Sequence, residues 1–193
     1  MNLRWIAAAA LPALMLAACT TYEPYPRPMA YARIDLPASY AYTAFSSPVC
    51  PLTFEYPATG VITRELSDSC WVDIRFPEFD LKWHITYRDA DAGGKDRAAH
   101  YEEYRRLIYK HTKKALRIEE LPLQVPAGSG VWFNITGEVG TPSQVFLADS
   151  SGKRVVMISM YFQTALKNDS LEPVIAHMRN EMLHMSGTLR WVE

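Results

Sequence analysis

Three residues near the C-terminus, His177, Glu181 and His184, fall at i, i+4 and i+7. On a helix that spacing puts all three on one face. Imidazoles and a carboxylate are zinc ligands, and three of them leave a fourth coordination position open. The same spacing also arises on an ordinary helix surface, and a trio from one helix has no ligand from a distant element to close it. It is therefore a weak metal candidate, and no cofactor is implied. His84 and His111 are a second pair to weigh as acid and base. His84 lies on the polar side of an alternating stretch, whereas His111, beside Lys110, lies on the apolar stripe of a helical one. That placement reads as a histidine buried against backbone or tyrosine. The chain has no Gly-x-Ser-x-Gly elbow, no His-Glu-x-x-His helix and no glycine-rich phosphate loop. With no converging catalytic set, the expectation is a protein that is not an enzyme.

The cysteines carry the clearest chemistry. Cys19 follows Leu16-Ala17-Ala18, itself preceded by Arg4 and an apolar run from Trp5. Small residues directly before a cysteine mark a lipoprotein signal, with lipid added to the thiol and cleavage before it. The run of about 14 apolar residues is short of the roughly 20 that span a bilayer. Residues 1–18 are read as signal, and Cys19 as a lipid anchor that holds stably once more than one acyl chain (palmitate among them) is attached. Thr20 in place of an Asp after the cysteine favours the outer membrane. Cys50 and Cys70 then remain as an even pair in an oxidising compartment, where a disulfide is expected. It would close a loop of about 20 residues and stabilise the fold by about 3 kcal/mol. The competing reading is two buried free thiols.

Removing the signal leaves about 175 residues, enough for one domain with its own core. The net charge is −1, one unit more negative once Arg4 is gone. Nucleic-acid binding, which needs a concentrated basic face, is unsupported. Residues 19–30 read as a tether: Pro24, Pro26 and Pro28 alternate and stiffen it. At about 3.1 Å per residue it reaches up to roughly 35 Å from the lipid. Its single Glu23 gives no acidic export tag, so the domain is expected to face the periplasm.

The elements that must position these residues follow from periodicity. A short strand is expected at Ala32 to Leu36, and others at Leu52 to Tyr56, Cys70 to Phe76 and Leu81 to Arg88. In the last two, Val72, Ile74 and Phe76, and Leu81, Trp83, Ile85 and Tyr87, alternate with polar residues. Lys95 to Ala115 reads as a helix with Tyr101, Tyr104, Leu107, Ile108 and His111 on its stripe. Strands at Arg117 to Val125, Val131 to Val139, Gln144 to Ala148 and Arg154 to Gln163 come next, with Gly128-Ser129-Gly130 as a hairpin turn. Val155 to Phe162 is apolar on both faces, as in a central strand covered on each side. Asn168, Asp169 and Ser170 offer an N-cap, with Pro173 in the first turn of a helix to about Gly187. A short strand from Thr188 closes the chain. The order predicts one α+β domain over residues 31–193, an antiparallel sheet of about six or seven strands flanked by two long helices.

An ordered set of segments resembles a known family. Tyr31-Ala32-Arg33-Ile34-Asp35-Leu36-Pro37, Cys50-Pro51, Cys70-Trp71, His84-Ile85-Thr86-Tyr87-Arg88, Tyr109-Lys110-His111-Thr112, Asp149-Ser150, Tyr161-Phe162, Asp169-Ser170 and Thr188-Leu189-Arg190-Trp191, behind a lipoprotein signal, are similar to the gliding-motility lipoprotein family GldD. The resemblance runs from about residue 30 to the end. It implies a membrane-anchored, non-catalytic accessory component of the Bacteroidetes gliding and type IX secretion machinery. The implied partners are other envelope lipoproteins and core proteins of that apparatus. His84, Tyr87, Lys110, His111 and Trp191 match the family pattern with no assigned role. The fold looks similar to the PsbP or Mog1 type. The alternative is a periplasmic enzyme or metal-binding protein working through the histidines of the domain.

Overall fold

The computed structural model describes residues 33–65, 70–90, 94–110, 114–163 and 168–192. The signal, Cys19, the tether and His111 lie outside the described residues. Ten strands and two α-helices are described. They are β1 (Tyr42–Ser47), β2 (Cys50–Pro57), β3 (Val61–Glu65), β4 (Trp71–Phe76), β5 (Leu81–Asp89), α1 (Arg97–Tyr109), β6 (Ala115–Val125), β7 (Gly128–Gly137), β8 (Ser143–Ala148), β9 (Arg154–Phe162), α2 (Asn168–Thr188) and β10 (Arg190–Trp191).

Seven strands form one antiparallel sheet in the order β3-β4-β5-β9-β8-β7-β6, and β1-β2-β10 form a second. β9 is fourth of seven, as its apolar character on both faces requires. One face of the large sheet buries Ile74, Trp83, Ile158 and Leu147 against Ile175, Met178, Met182 and Met185 of α2 and Leu52 and Phe54 of the small sheet. The opposite face buries Phe133, Ile135, Phe146 and Val155 against Tyr104 and Ile108 of α1. Each such side chain contributes about 1.5–3 kcal/mol by leaving water.

The expected single sheet is thus two sheets. β10 pairs with β2, Arg190 opposite Thr53 and Trp191 opposite Leu52, and the Trp191 indole N–H donates to the Ala127 carbonyl at 2.6 Å. The stretch after Arg33 is not a strand; β1 and β3 are strands that periodicity missed. α1 is shorter than expected. Asp96 caps it by accepting from the Ala99 amide at 2.8 Å, which sets its start at Arg97. Ala115 already pairs with Gly137 in β6 and β7, so the helix cannot reach it. Leu107 is 48% exposed instead of lying on the buried stripe, and His100 is buried in its place, its Nε2 bonded to the Ala90 carbonyl at 3.1 Å. Gly128-Ser129-Gly130 belong to β7, and the turn is Pro126-Ala127. Pro173 lies past the first turn of α2, which begins at Asn168.

Candidate functional site

α1 covers only the β6-to-β9 half of its sheet face. On β4 and β5 the same face is left uncovered by α1, with the Lys82 and His84 side chains each 30% exposed, and the register lines its side chains into rows. Trp71 is opposite Thr86, Asp73 opposite His84, and Arg75 opposite Lys82. Farther across, His84 is opposite Ser159 and Lys82 opposite Tyr161, and Ser159 is opposite Gln144. One polar row therefore crosses four strands: Asp73, His84, Ser159, Gln144.

Asp73 is 5% exposed. Its Oδ2 accepts from Lys82 Nζ at 3.0 Å, and its Oδ1 is bonded to His84 Nδ1. An ionised carboxylate only accepts, so the imidazole proton sits on Nδ1. Nε2 faces the Thr86 hydroxyl at 3.3 Å, accepting from it when the ring is neutral. Burial alone would raise the Asp73 carboxyl, but the hydrogen bonds from His84 and Lys82 outweigh it and hold it below the usual carboxylate range. Trp71 meets the His84 ring edge-on, with centroids 6.4 Å apart. Ser159 is buried under α1, sharing hydrogen bonds with the Tyr104 hydroxyl at 3.0 Å and Gln144 at 3.1 Å.

His84 and Lys110 belong to different settings. Lys110 caps α1 at its C-terminus and is exposed. Tyr87 and Trp191 lie on the other face of the sheet and come together, ring centroids 6.3 Å apart. Tyr87 donates to Asp89. Arg154 lies over the Trp191 ring at 5.1 Å and bonds Asp149 at 3.2 Å. Asp149 is 3% exposed. Burial would raise its carboxyl, but bonds from Ser151, Arg154 and Lys153 hold it low. Sequence reasoning named Tyr87 and Trp191 but missed Asp73, Lys82 and Arg154. Asp73 was the readable one, an acid on the same polar side as His84.

On α2 the histidine face is divided among separate partners. The Glu181 carboxylate accepts from the Tyr42 hydroxyl at 2.8 Å, His184 bonds Glu55 at 3.1 Å and stacks on Tyr42, and His177 packs against Tyr40. Among the described residues no group of three or more His, Cys, Asp or Glu is arranged to hold a metal ion. The Cys50 and Cys70 sulfurs are bonded, S–S 2.15 Å. The bridge links β2 of the small sheet to the residue that leads into β4 of the large one.

A seven-stranded antiparallel sheet with α1 on one face, and α2 with a smaller sheet on the other, defines an α+β sandwich of the Mog1 type. Mog1p, a Ran-binding protein of Saccharomyces cerevisiae, matches with a TM-score of 0.54 at 10% identity, covering 80% of this chain and 97% of that one. The cyanobacterial PsbP of Synechocystis sp. PCC 6803 matches with a TM-score of 0.45 at 9% identity, covering 83% and 98%. No curated protein matches the sequence. The family model described as gliding motility lipoprotein GldD matches residues 21–191, and the chain belongs to that family. Membership makes it a gliding-motility lipoprotein associated with the cell envelope. No helix among the described residues is long and apolar enough to cross a membrane.

Proposed function

We propose that this chain is a lipid-anchored accessory component of the gliding and type IX secretion machinery, acting by contact and not by turnover. Residues 1–18 are its signal, Cys19 its acylated first mature residue, 19–30 its tether and 31–193 its domain. The anchor holds it in the outer membrane, with the domain facing the periplasm. Its partners are envelope lipoproteins and core proteins of that apparatus. The observation that carries the reading is the open half of the large sheet. There Trp71, Lys82, His84 and Tyr161 sit at partial exposure on a rigid, hydrogen-bonded platform, the anatomy of a contact surface.

A second reading rests on one observation, the carboxylate–imidazole–hydroxyl series Asp73, His84, Thr86. Such a series orients a histidine as a general base. His84→Gln and Thr86→Val variants separate the two. If both accumulate normally and support motility, acid–base chemistry has lost its residues. A stable His84→Gln protein that retains its partners and fails to support motility would overturn the contact reading.

A further inference from the structure

From Tyr104 to Ile118 the sequence carries Arg105, Arg106, Lys110, Lys113, Lys114 and Arg117 and no acid. In a chain of net charge −1 this is a local concentration of positive charge. Of these residues, Arg105, Arg106 and Lys110 lie in the last turns of α1 and Lys114 and Arg117 at the start of β6, where the exposed Glu138 donates its amide to the Lys114 carbonyl at 3.1 Å. Arg105 and Arg117 spend their charge on Glu120 at 2.8 Å and Glu119 at 2.7 Å. Arg106, Lys110 and Lys114 are exposed, and among the described residues they pair with no carboxylate.

Two leucines accompany these cations. Leu107 in the last turns of α1 is 48% exposed, and Leu116 is 89% exposed. The position of Leu116 is specified. Ala115 is opposite Gly137 and Arg117 opposite Thr136, so Leu116 is the extra residue of a bulge at the sheet edge. Gly137 makes the bulge possible. Its φ is +120°, and a Cβ there would lie 2.5 Å from the Lys114 carbonyl oxygen and 2.6 Å from the Leu116 nitrogen. The bulge thus turns Leu116 outward beside Lys114.

Exposed leucines near Arg106, Lys110 and Lys114 match the interface of an anionic bilayer, where headgroup phosphates lie over acyl chains. A gliding-motility lipoprotein has such a bilayer close at hand. We propose that the α1–β6 corner is a second membrane contact. Leu107 and Leu116 enter the headgroup layer, while Arg106, Lys110 and Lys114 meet lipid phosphates. The contact orients the domain relative to the bilayer. It stands independently of the contact reading above, since it concerns lipid and different residues.

The test uses the mature chain with Cys19→Ser, which carries no acyl group, sedimented with vesicles of phosphatidylethanolamine and phosphatidylglycerol or of phosphatidylcholine alone. Binding is expected only to the anionic vesicles and is reversed by salt. Lys110→Glu with Lys114→Glu should weaken it by at least about tenfold, and Leu116→Ser should weaken it with the thermal midpoint unchanged. An environment-sensitive dye on a Leu116→Cys variant should shift to the blue on adding anionic vesicles. Equal sedimentation with both vesicle types, a double variant that binds like the parent, or a dye that does not shift would overturn the proposal. So would absence of vesicle binding alongside capture by poly-glutamate, which would assign the corner to an acidic protein.

Discussion

Asp73 and His84 stand directly opposite each other on β4 and β5, and the carboxylate of one fixes the ring of the other. Lys82 takes the second carboxylate oxygen, so a nearly buried charge is balanced by two half-buried partners. Removing it leaves both donors facing a gap. Asp73→Ala should lower stability by about 1–3 kcal/mol in urea unfolding. An unchanged midpoint would mean that water substitutes for the carboxylate.

The position of this pair also measures what could be read in advance. Alternation placed His84 on the polar side of its strand, and that holds. Pairing it with Asp73 needs the hairpin register, which the Pro77–Phe79 turn and the left-handed Asp80 fix, setting Phe76 opposite Leu81. The doubly apolar run of β9 announced the centre of the sheet. The meeting of Tyr87 with Trp191 could not be read, because local periodicity says nothing about which distant segments meet. β1 was missed because its burial does not alternate cleanly, and Leu107 was misplaced because α1 rotates His100 inward instead.

The disulfide ties the two sheets together with a sequence separation of 20. Opening it restores chain entropy to the unfolded state. A Cys50→Ser/Cys70→Ser protein should lose about 3 kcal/mol, seen as a lower urea midpoint that reductant does not lower further. A reductant effect of the same size in the double variant would contradict this.

At Gly137 any side chain collides with the backbone of the β6 bulge. Gly137→Ala should cost on the order of 1–3 kcal/mol, while Leu116→Ser, at a solvent-facing position, should stay within about 0.5 kcal/mol of the parent. Chemical denaturation of the two side by side checks the contrast.

Acid should unfold the domain through a small set of carboxylates. Asp73, Asp149 and Glu120 are all held below their ordinary values of 3.8, 3.8 and 4.5. For Glu120, burial opposes the shift, but hydrogen bonds from Tyr109, Tyr101 and Arg105 prevail; burial and the Glu120 bond push the Tyr101 hydroxyl up to about 12. A depressed folded value means stability that is fully present above about pH 4.5 and lost as pH falls through the folded values. The stability these three carboxylates supply should therefore be flat from neutral pH to about 5 and fall below 4.5. Glu120→Gln should start lower and lose less on acidification.

On the proposed function, the domain works through what its open sheet half touches. The most direct measurement places a photo-crosslinking amino acid at Tyr161, 39% exposed on that face, in cells that glide. A specific adduct with an envelope protein of the motility apparatus is expected, and none from the same probe at Val192 on the far side of the sheet. A face that yields no adduct, in cells where the stable His84→Gln protein abolishes gliding, would contradict it.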